Sequence, residues 1–278
     1  MKSLKIKPLW ILAILLIFTG YSTAQKAGIK ISTEEEIKSD VSLVPCKDKE
    51  RLAAVKSLFI KNGATEPDIT IEKLKDVENL IVTKKGKTAE TVIVGAHYDK
   101  TPEGCGAIDN WTGIVVLANL YRTMKDLTTE KTYLFVAFGK EEQGLIGSDA
   151  MAGRIPKEER TNYCAMVNFD SFGFTYPQAL RNISDTSLIK LAEETSKEMN
   201  IPFADAGIDF ASSDSQSFRN KKIPAISLHG LSNNWTNYLH TASDKVSNIK
   251  IGSVHIGYRH GLVFLSKIDR KPCGSFRK

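Results

Sequence analysis

Residues 91–113 read TVIVGAHYDKTPEGCGAIDNWTG, and this stretch decides the fold. Its first six residues are almost all apolar, which is typical of a strand that is buried on both faces of a sheet. The apolar run ends at His97, and a polar, glycine-rich loop that contains Asp99 and Asp109 follows it. A helix is then predicted from about Trp111 to Lys125, where apolar residues dominate again. The stretch therefore predicts a strand, a loop with acidic and imidazole side chains, and a helix.

Buried strands and helices continue to alternate along the rest of the chain. Apolar runs predict further strands at residues 78–84, 132–138, 164–169 and 223–228. Spacing and composition predict further helices at residues 48–62, 144–152, 185–200, 215–219 and 249–268. Such alternation is typical of a mixed, mostly parallel sheet with helices on both faces. No repeat, low-complexity linker or change in composition follows Ser42, so a single α/β domain is predicted.

The first 24 residues predict a signal peptide. MKSLKIK is a basic start, PLWILAILLIFTG is an apolar core, and Ser22 and Ala24 form a small-x-small cleavage pattern. The apolar core has about a dozen residues, fewer than the roughly 20 that span a bilayer, so no stable membrane anchor is expected. A polar lead-in covers residues 25–42, and the main domain is predicted over residues 43–278. We expect an exported protein, either periplasmic or extracellular.

Charge and cysteine content limit the classes of function. The net charge of +6 is spread along the 278 residues, and three lysines before residue 8 supply half of it. Scattered charge gives no support for a nucleic-acid-binding surface. The four cysteines suit an oxidising compartment, although their pairing cannot be read from the sequence.

Each cysteine has an expected role. A bridge between Cys46 and Cys273 would join the two ends of the mature chain, and it is one of the pairings left open. Cys164 lies in an apolar strand and is interpreted as a small core residue. Cys105 lies in the opening loop, where loop packing is favoured over a metal-proximal thiol.

Side chains that can bind metals follow several predicted strands. They are His97 and Asp99 after residues 91–96, Glu141 and Glu142 after 132–138, Asp170 after 164–169, and His229 and His240 after 223–228. Because the carboxyl ends of neighbouring parallel strands meet at one edge of a sheet, these side chains are expected to converge. A solvated edge would carry Lys, Ser and Asn at these positions just as often. The sequence therefore predicts a metal site at this edge.

The residues suffice for two metal ions of the zinc type, which histidine nitrogens and carboxylate oxygens bind. In the simplest scheme, Asp109 bridges the two ions. His97 and Asp170 complete one ion, and Glu142 and His240 complete the other.

Two further side chains have predicted roles beside these ligands. A pair of metal ions lowers the pKa of a water molecule and polarises a carbonyl group. Glu141 is not needed as a ligand, so it is free to accept a proton from that water and to donate it to a leaving amine. Asp99 lies two residues after His97 and could accept the second N–H of its imidazole, which would fix the tautomer.

Five segments, in order along the chain, resemble the signature segments of the secreted two-zinc aminopeptidases. The segments are GAHYD, GAIDNWTG, FGKEEQGLIGS, VNFDSFG and YLHTASD. That broad family of zinc-dependent exopeptidases also contains glutamate carboxypeptidase-type enzymes and glutaminyl cyclases. The resemblance covers roughly residues 75–268 and implies a single domain with a mixed sheet of about eight strands sandwiched between helices.

The resemblance implies site residues that agree with the residue types. The family's metal ligands fall on His97, Asp109, Glu142, Asp170 and His240, its catalytic glutamate on Glu141, and its histidine-orienting aspartate on Asp99. Because YLHTASD supplies the expected histidine ligand, His229 is interpreted as a supporting residue.

A few neighbouring residues leave alternatives open. Lys100 and Lys140 depart from the family pattern, and they either point to solvent or favour an acidic group on the substrate. Trp111 and Trp235 lie near predicted ligand segments, where they could form walls of a pocket or pack in the core.

The expected function is that of a secreted metallo-aminopeptidase with two Zn²⁺ per chain, acting on peptides with a free N-terminus. The rivals are a glutaminyl-peptide cyclotransferase with a single zinc, a carboxypeptidase for acidic C-terminal residues, and a non-catalytic binding domain on the same fold. The segment DNWTG resembles the peptidases more than the cyclases, and the complete ligand set opposes a non-catalytic domain. The preferred N-terminal residue and the oligomeric state carry no readable signal.

Overall fold

The structure is a computed structural model, and it describes residues 29–208 and 211–277. The predicted signal peptide therefore lies outside the described residues. The strands are β1 (Ile69–Leu74), β2 (Val77–Lys84), β3 (Thr91–His97), β4 (Thr132–Phe138), β5 (Tyr163–Phe169), β6 (Gln178–Leu180), β7 (Ala204–Ala206) and β8 (Ala225–His229). The helices are α1 (Glu34–Val41), α2 (Asp48–Lys61), α3 (Thr112–Met124), α4 (Ile146–Arg154), α5 (Thr186–Glu198), α6 (Ser215–Asn220) and α7 (Ile251–Arg270). Within the described ranges, no helix combines the length and apolar character needed to cross a bilayer.

The strands form one sheet in the order β1-β2-β4-β3-β5-β8-β6-β7. The central pairs β4–β3, β3–β5 and β5–β8 are parallel, and so is the edge pair β6–β7. The pairs β1–β2, β2–β4 and β6–β8 are antiparallel. The predicted α/β domain with a mixed, mostly parallel sheet of eight strands is confirmed.

Helices cover both faces of this sheet, which explains the apolar run in β3. Val92 and Val94 belong to the larger core cluster, to which α1, α2, α3, α5 and α7 contribute. Ile93 belongs to a smaller cluster with α4 and α6. Successive side chains of a strand point to opposite faces, so a strand covered on both sides needs apolar residues throughout.

Four elements were not among the predictions. β1 is an edge strand whose side chains are mostly half-buried or exposed, so it lacks a strong apolar signal. β6 and β7 have three residues each, which is too short for any periodicity. α1 lies inside the polar lead-in, where it begins with a capping box between Thr33 and Glu36. Its buried side chains Ile37 and Val41 attach this segment to the larger core cluster.

The cysteines form two disulfides, neither of which is the Cys46–Cys273 pairing that the sequence left open. Cys46 is bonded to Cys105, and Cys164 is bonded to Cys273. The pairing of Cys46 with Cys273, which the sequence left open, does not occur, and Cys105 is neither a free packing residue nor a thiol near a metal. Cys164 is buried as expected, but it also attaches β5 to the segment after α7. Pairing depends on which Cα atoms the fold brings close together, and the spacing along the chain does not encode that.

A buried histidine in α7 couples the stability of the fold to pH. The Nε2–H group of His260 donates to the carbonyl oxygen of Ala192 at 3.1 Å, so the proton of the neutral ring is on Nε2. Nδ1 is buried and has no hydrogen-bond partner among the described residues. The ring stacks against Phe203 and Phe264, whose ring centroids are each 6.0 Å from its own. Burial, with a smaller contribution from the charge of Lys267, lowers the pKa of His260 to about 4.

We expect the free energy of unfolding to fall as the pH decreases from about 6.5 to about 4, because only the unfolded chain accepts a proton on His260 in that window. The stabilisation is complete above pH 6.5 and is lost below it, with a slope of up to about 1.4 kcal/mol per pH unit. Urea unfolding at a series of pH values measures this slope. His260→Gln should reduce it, whereas His255→Gln, in a partly exposed position of the same helix, should retain it. Equal slopes for the wild type and His260→Gln would contradict the prediction.

Candidate active site

The sheet brings the predicted site residues to one edge. His97 is the last residue of β3, Asp170 directly follows β5, and Glu141 and Glu142 follow β4 after a short turn. Because β3 lies between β4 and β5, His97 is at the centre of the three strand ends. The two ligands that do not follow a strand directly, Asp109 before α3 and His240 between β8 and α7, come from loops.

The carboxylate of Asp109 lies between the two imidazoles. Its Oδ1 atom is 3.1 Å from Nε2 of His97, and its Oδ2 atom is 3.0 Å from Nε2 of His240. The peptide bond between Asp109 and Asn110 is cis. The two carboxylate oxygens of Asp109 face the nitrogens of two different imidazoles. In this arrangement one carboxylate can belong to two neighbouring groups of metal ligands.

Each imidazole also approaches the second carboxylate that the sequence assigned to it. Nε2 of His97 is 3.6 Å from Oδ1 of Asp170, and Nε2 of His240 is 3.3 Å from Oε2 of Glu142. Ligand atoms of His97, Asp109 and Glu142 lie within 4.8 Å of one another. The same holds for His97, Glu141 and Asp170. The described residues therefore contain two overlapping groups of potential metal ligands that share His97.

Asp99 connects the ends of β3 and β4. Its Oδ1 and Oδ2 atoms accept the main-chain N–H groups of Glu141 and Glu142 at 2.9 and 3.1 Å. Oδ1 is 3.6 Å from Nδ1 of His97, which is longer than a hydrogen bond. In this structure, Asp99 therefore positions the Glu141–Glu142 turn more directly than it orients the imidazole.

The charges of the cluster perturb one another strongly. Burial raises the pKa of Asp109, but hydrogen bonds with His240 and His97 outweigh it and hold that pKa well below its usual range. Hydrogen bonds to Asp109 and Glu142 raise the pKa of His240 to about 10. Burial opposes a charge on His97, yet the nearby charge of Glu141 and the contacts with Asp109, Asp170 and Asp99 raise its pKa well above the usual value.

Glu141 lies largely buried against this cluster, and no side chain of the described residues forms a close contact with its carboxylate. Its Oε2 atom is 4.0 Å from Nε2 of His97, the longest of the contacts that His97 makes with carboxylates. Burial raises the pKa of Glu141 well above its ordinary value, and the charge of His97 opposes that change only in part. A carboxyl group in this state can hold a proton or release it to a neighbour.

The donor set fits divalent cations of the zinc type. Among the described residues, the ion-pair partners of these carboxylates are only His97 and His240, and no lysine or arginine lies within ion-pair distance of them. Oε1 of Glu142 and Nδ1 of His97 are buried without a hydrogen-bond partner in the described part of the chain. A buried cluster of like charges is costly unless cations balance it. Imidazole nitrogens and carboxylate oxygens are the ligands that zinc prefers in catalytic sites.

A cavity of about 470 Å³ opens onto the cluster. Its floor contains the candidate ligands with Glu141 and His229, and its walls contain the apolar side chains Leu180, Ile208, Ala211, Leu231, Trp235 and Leu239. Among the described residues that line it, none is a lysine or an arginine. Trp235 is therefore a wall of the pocket, whereas Trp111 is fully buried in the core.

Two contacts that hold candidate ligands in place were not predicted from the sequence. The carboxylate of Asp244 accepts the main-chain N–H groups of Ile108 and Asp109 at 2.6 and 3.2 Å. The Oγ–H group of Ser213 donates to Oδ2 of Asp170 at 2.6 Å. Asp244 lies four residues after His240, inside a segment that the sequence had already singled out, so proximity to a ligand was the available signal. Ser213 offered no signal, because a serine that contacts a distant carboxylate leaves no pattern in the sequence.

Comparisons with known proteins find aminopeptidases among the relatives of this chain. A probable leucine aminopeptidase of Arthroderma otae is 30% identical over 215 residues, which cover 70% of this chain and 58% of that protein. Aminopeptidase YwaD of Bacillus subtilis is 34% identical over 105 residues, which cover 37% of this chain and 23% of that protein. The chain thus spans about half or less of the length of these curated relatives.

Solved structures share the fold. An aminopeptidase from Aneurinibacillus sp. strain AM-1 has a TM-score of 0.62 and 26% identity, over 70% of this chain and 48% of that one. A glutaminyl cyclase from an Acidobacteriales bacterium has a TM-score of 0.76 over 89% of this chain and 98% of that one, but its identity is 13%, so it shows the fold alone.

The family itself follows from a match that includes the whole site. The model of peptidase family M28 matches residues 79–259, which is well over half of the 278 residues. The matched range contains all seven predicted site residues, from His97 to His240. This chain therefore belongs to peptidase family M28.

Proposed function

We propose that this chain is an exported metallo-aminopeptidase that uses two zinc ions and Glu141 to hydrolyse the N-terminal peptide bond. The observation that carries the proposal is the placement of Asp109, whose two oxygens lie 3.1 and 3.0 Å from the Nε2 atoms of His97 and His240. A carboxylate that faces two imidazoles, each with a further carboxylate beside it, has the donor set of a bridged metal pair.

The residues of the cluster divide into ligands and one free carboxylate. His97 and Asp170 would hold one ion, Glu142 and His240 the other, with Asp109 shared. Bound there, the ions would lower the pKa of the attacking water and polarise the scissile carbonyl. The role of Asp99 is to hold the turn that carries Glu141 and Glu142, through its two hydrogen bonds to their main-chain N–H groups.

Glu141 is the residue that moves the proton. Its carboxylate accepts a proton at Oε2, which faces the cluster 4.0 Å from His97, and then donates that proton to the amine that leaves. Its buried position favours this exchange, because burial disfavours the charged form and so brings its proton affinity closer to that of the groups with which it exchanges.

The cavity favours substrates with a free α-amino group and an apolar first side chain. Its floor contains Glu141, the one carboxylate that is not assigned to an ion and can attract an ammonium group, and its walls offer six apolar side chains. The lysines that could have favoured an acidic substrate do not line it. Lys140 pairs with Asp76 at 3.0 Å, and the ammonium group of Lys100 donates to the carbonyl oxygen of Thr101 at 2.6 Å. The described residues of the pocket therefore give no lysine or arginine that would favour a carboxypeptidase for acidic C-terminal residues.

A panel of fluorogenic substrates with metal analysis tests the proposal. We expect about two zinc ions per chain, hydrolysis of leucyl and other apolar aminoacyl substrates, and loss of activity on chelation that zinc reverses. The N-acetyl-leucyl substrate is the matched control. It keeps the leucine side chain but lacks the free α-amino group, so it should resist hydrolysis. Cyclisation of a glutamine-led peptide without hydrolysis would identify a cyclotransferase instead. Absence of both metal and turnover would favour a binding domain.

N-terminal sequencing of the exported chain, expected to begin at Gln25, tests the export signal.

A further inference from the structure

Arg51 of α2 is a fully buried cation, and its hydrogen bonds within the described residues all go to main-chain carbonyl groups. Its Nε–H group donates to the carbonyl oxygen of Tyr98. Nη1 donates to the carbonyl oxygens of Pro45 and Cys105, each at 3.1 Å, and Nη2 donates to that of Gly106 at 3.0 Å. A planar guanidinium with fixed N–H directions can satisfy four carbonyl groups only if the chain around it keeps one shape.

Three of those four carbonyls belong to the loop that connects the candidate ligands. Tyr98 lies between His97 and Asp99, and Gly106 lies three residues before Asp109. Gly106 has a φ of 60°, and a Cβ atom built there would lie 3.1 Å from Nη1 of Arg51. The loop is therefore packed closely around the guanidinium. It begins next to His97 and ends shortly before Asp109.

The first residue of α2 and a cysteine just before the helix contact the same loop at two further points. Cys46 is bonded to Cys105, and the carboxylate of Asp48 accepts the main-chain N–H group of Lys100 at 3.2 Å. The family match begins at residue 79, so these two contacts and those of Arg51 come from a segment that precedes it. A short stretch, residues 46–51, thus holds the loop of residues 98–106 from outside the matched region.

The surroundings of Arg51 indicate more than a packing role. The charged groups that act on it are the carboxylates of Asp48, Asp244, Asp99 and Asp109. Its guanidinium also lies 5.6 Å from the ring centre of Trp111, next to Asn110 at the start of α3. A buried cation is costly, and an apolar side chain of similar size would fill the same space at less cost. What an apolar side chain could not do is bind the loop carbonyls or offset the acidic cluster.

We propose that Arg51 is a positioning residue of the metal centre: it holds loop 98–106 so that His97 and Asp109 face each other across the ligand cluster. This inference rests on the proposed function, because it assigns Arg51 to the same metal site.

Zinc affinity tests this role without any peptide substrate. Arg51→Met removes the N–H donors and the positive charge. Arg51→Lys keeps the charge but loses the planar guanidinium with its fixed N–H directions. Competition with a chromophoric chelator should show a weakening of zinc binding by about 10- to 100-fold for Arg51→Met, as for other residues that support metal ligands. Arg51→Lys should lie between Arg51→Met and the wild type. Lys49→Met is the matched control, since it replaces an exposed cation of α2 by the same residue, and it should bind zinc as the wild type does.

Two further readouts separate positioning from folding. Hydrogen exchange of the metal-free protein should rise about tenfold or more in residues 98–106 of Arg51→Met but not in α7. In turnover assays, kcat should fall while KM stays within about twofold, since the apolar walls are unchanged. If Arg51→Met does not fold, the same measurements on Arg51→Lys and Arg51→Gln decide the matter.

Loss of stability with wild-type zinc affinity and wild-type loop exchange would overturn the proposal and leave Arg51 a structural residue. If the wild type binds zinc but hydrolyses no peptide, the proposed function fails while the affinity and exchange data still judge the role of Arg51. If the wild type binds no zinc, both proposals fall together.

Discussion

Asp109→Ala is expected to abolish the metal centre and with it all peptide hydrolysis. Asp109 has the two shortest carboxylate contacts to the imidazoles, 3.1 Å to His97 and 3.0 Å to His240, so its removal takes one ligand from each candidate ion. Loss of a group that merely supports a ligand weakens metal binding about 10- to 100-fold, so loss of a shared ligand should weaken it more than about 100-fold. Metal analysis after dialysis should find less than about one zinc per folded chain.

Two comparisons make this result specific to the shared carboxylate. Asp109→Asn keeps the shape and one oxygen but loses the charge, and it should retain more zinc than Asp109→Ala. Asp149→Ala, at an exposed position of α4, is the control for removing a carboxylate and should keep both ions and full activity. Circular dichroism verifies that each variant is folded. An Asp109→Ala protein that retains both zinc ions would refute the bridging assignment.

The candidate ligands could be predicted because their positions follow from the sheet. His97, Glu142 and Asp170 come just after apolar runs, and parallel strands bring such ends to the same edge. Their chemical type then limits what the edge can bind. His240 lies further from a strand, and it was assigned on residue type and on resemblance to YLHTASD.

Other parts of the molecule carry no such signal. The pairing of Cys46 with Cys105 depends on how α2 packs beside the loop, which no spacing along the chain records. Arg51 looks like an ordinary member of a charged helix, DKERLAAVKSLFIK, until its contacts with main-chain carbonyls are seen. Short strands such as β6 exist only because a neighbouring strand pairs with them. In each case the cause is a contact between distant segments, whereas the predictable features arise from local patterning.

The same distinction explains why the fold could be predicted more readily than the substrate. Alternating buried strands and helices need only apolar runs of the right length, and these survive any change in loop sequence. The cavity walls are instead assembled from Leu180 in β6, Ile208 after β7 and Trp235 after β8. Each belongs to a segment with weak periodicity, so the shape of the pocket emerges only once those segments are packed together.

Glu141→Gln is expected to leave the metal centre intact and remove most of the turnover. The substitution keeps the size of the side chain and the main-chain N–H group that donates to Asp99, so the turn after β4 should persist. Only the ability of the Oε2 atom to accept and return a proton is lost. A positioned general base contributes about 10²- to 10⁴-fold, so kcat should fall by that factor while KM changes little.

The comparison with neighbouring glutamates makes this prediction discriminating. Glu142→Gln should act through loss of zinc, because its Oε2 atom lies 3.3 Å from Nε2 of His240. Glu103→Gln, at an exposed position of the loop before Asp109, should change neither zinc content nor turnover. Zinc content and kcat measured on the same preparations therefore separate a ligand from a base. If Glu141→Gln keeps full zinc and full turnover, then Glu141 does not transfer the proton. If Glu141→Gln loses zinc, then Glu141 is a ligand, and His97, Glu141 and Asp170 together bind one of the ions.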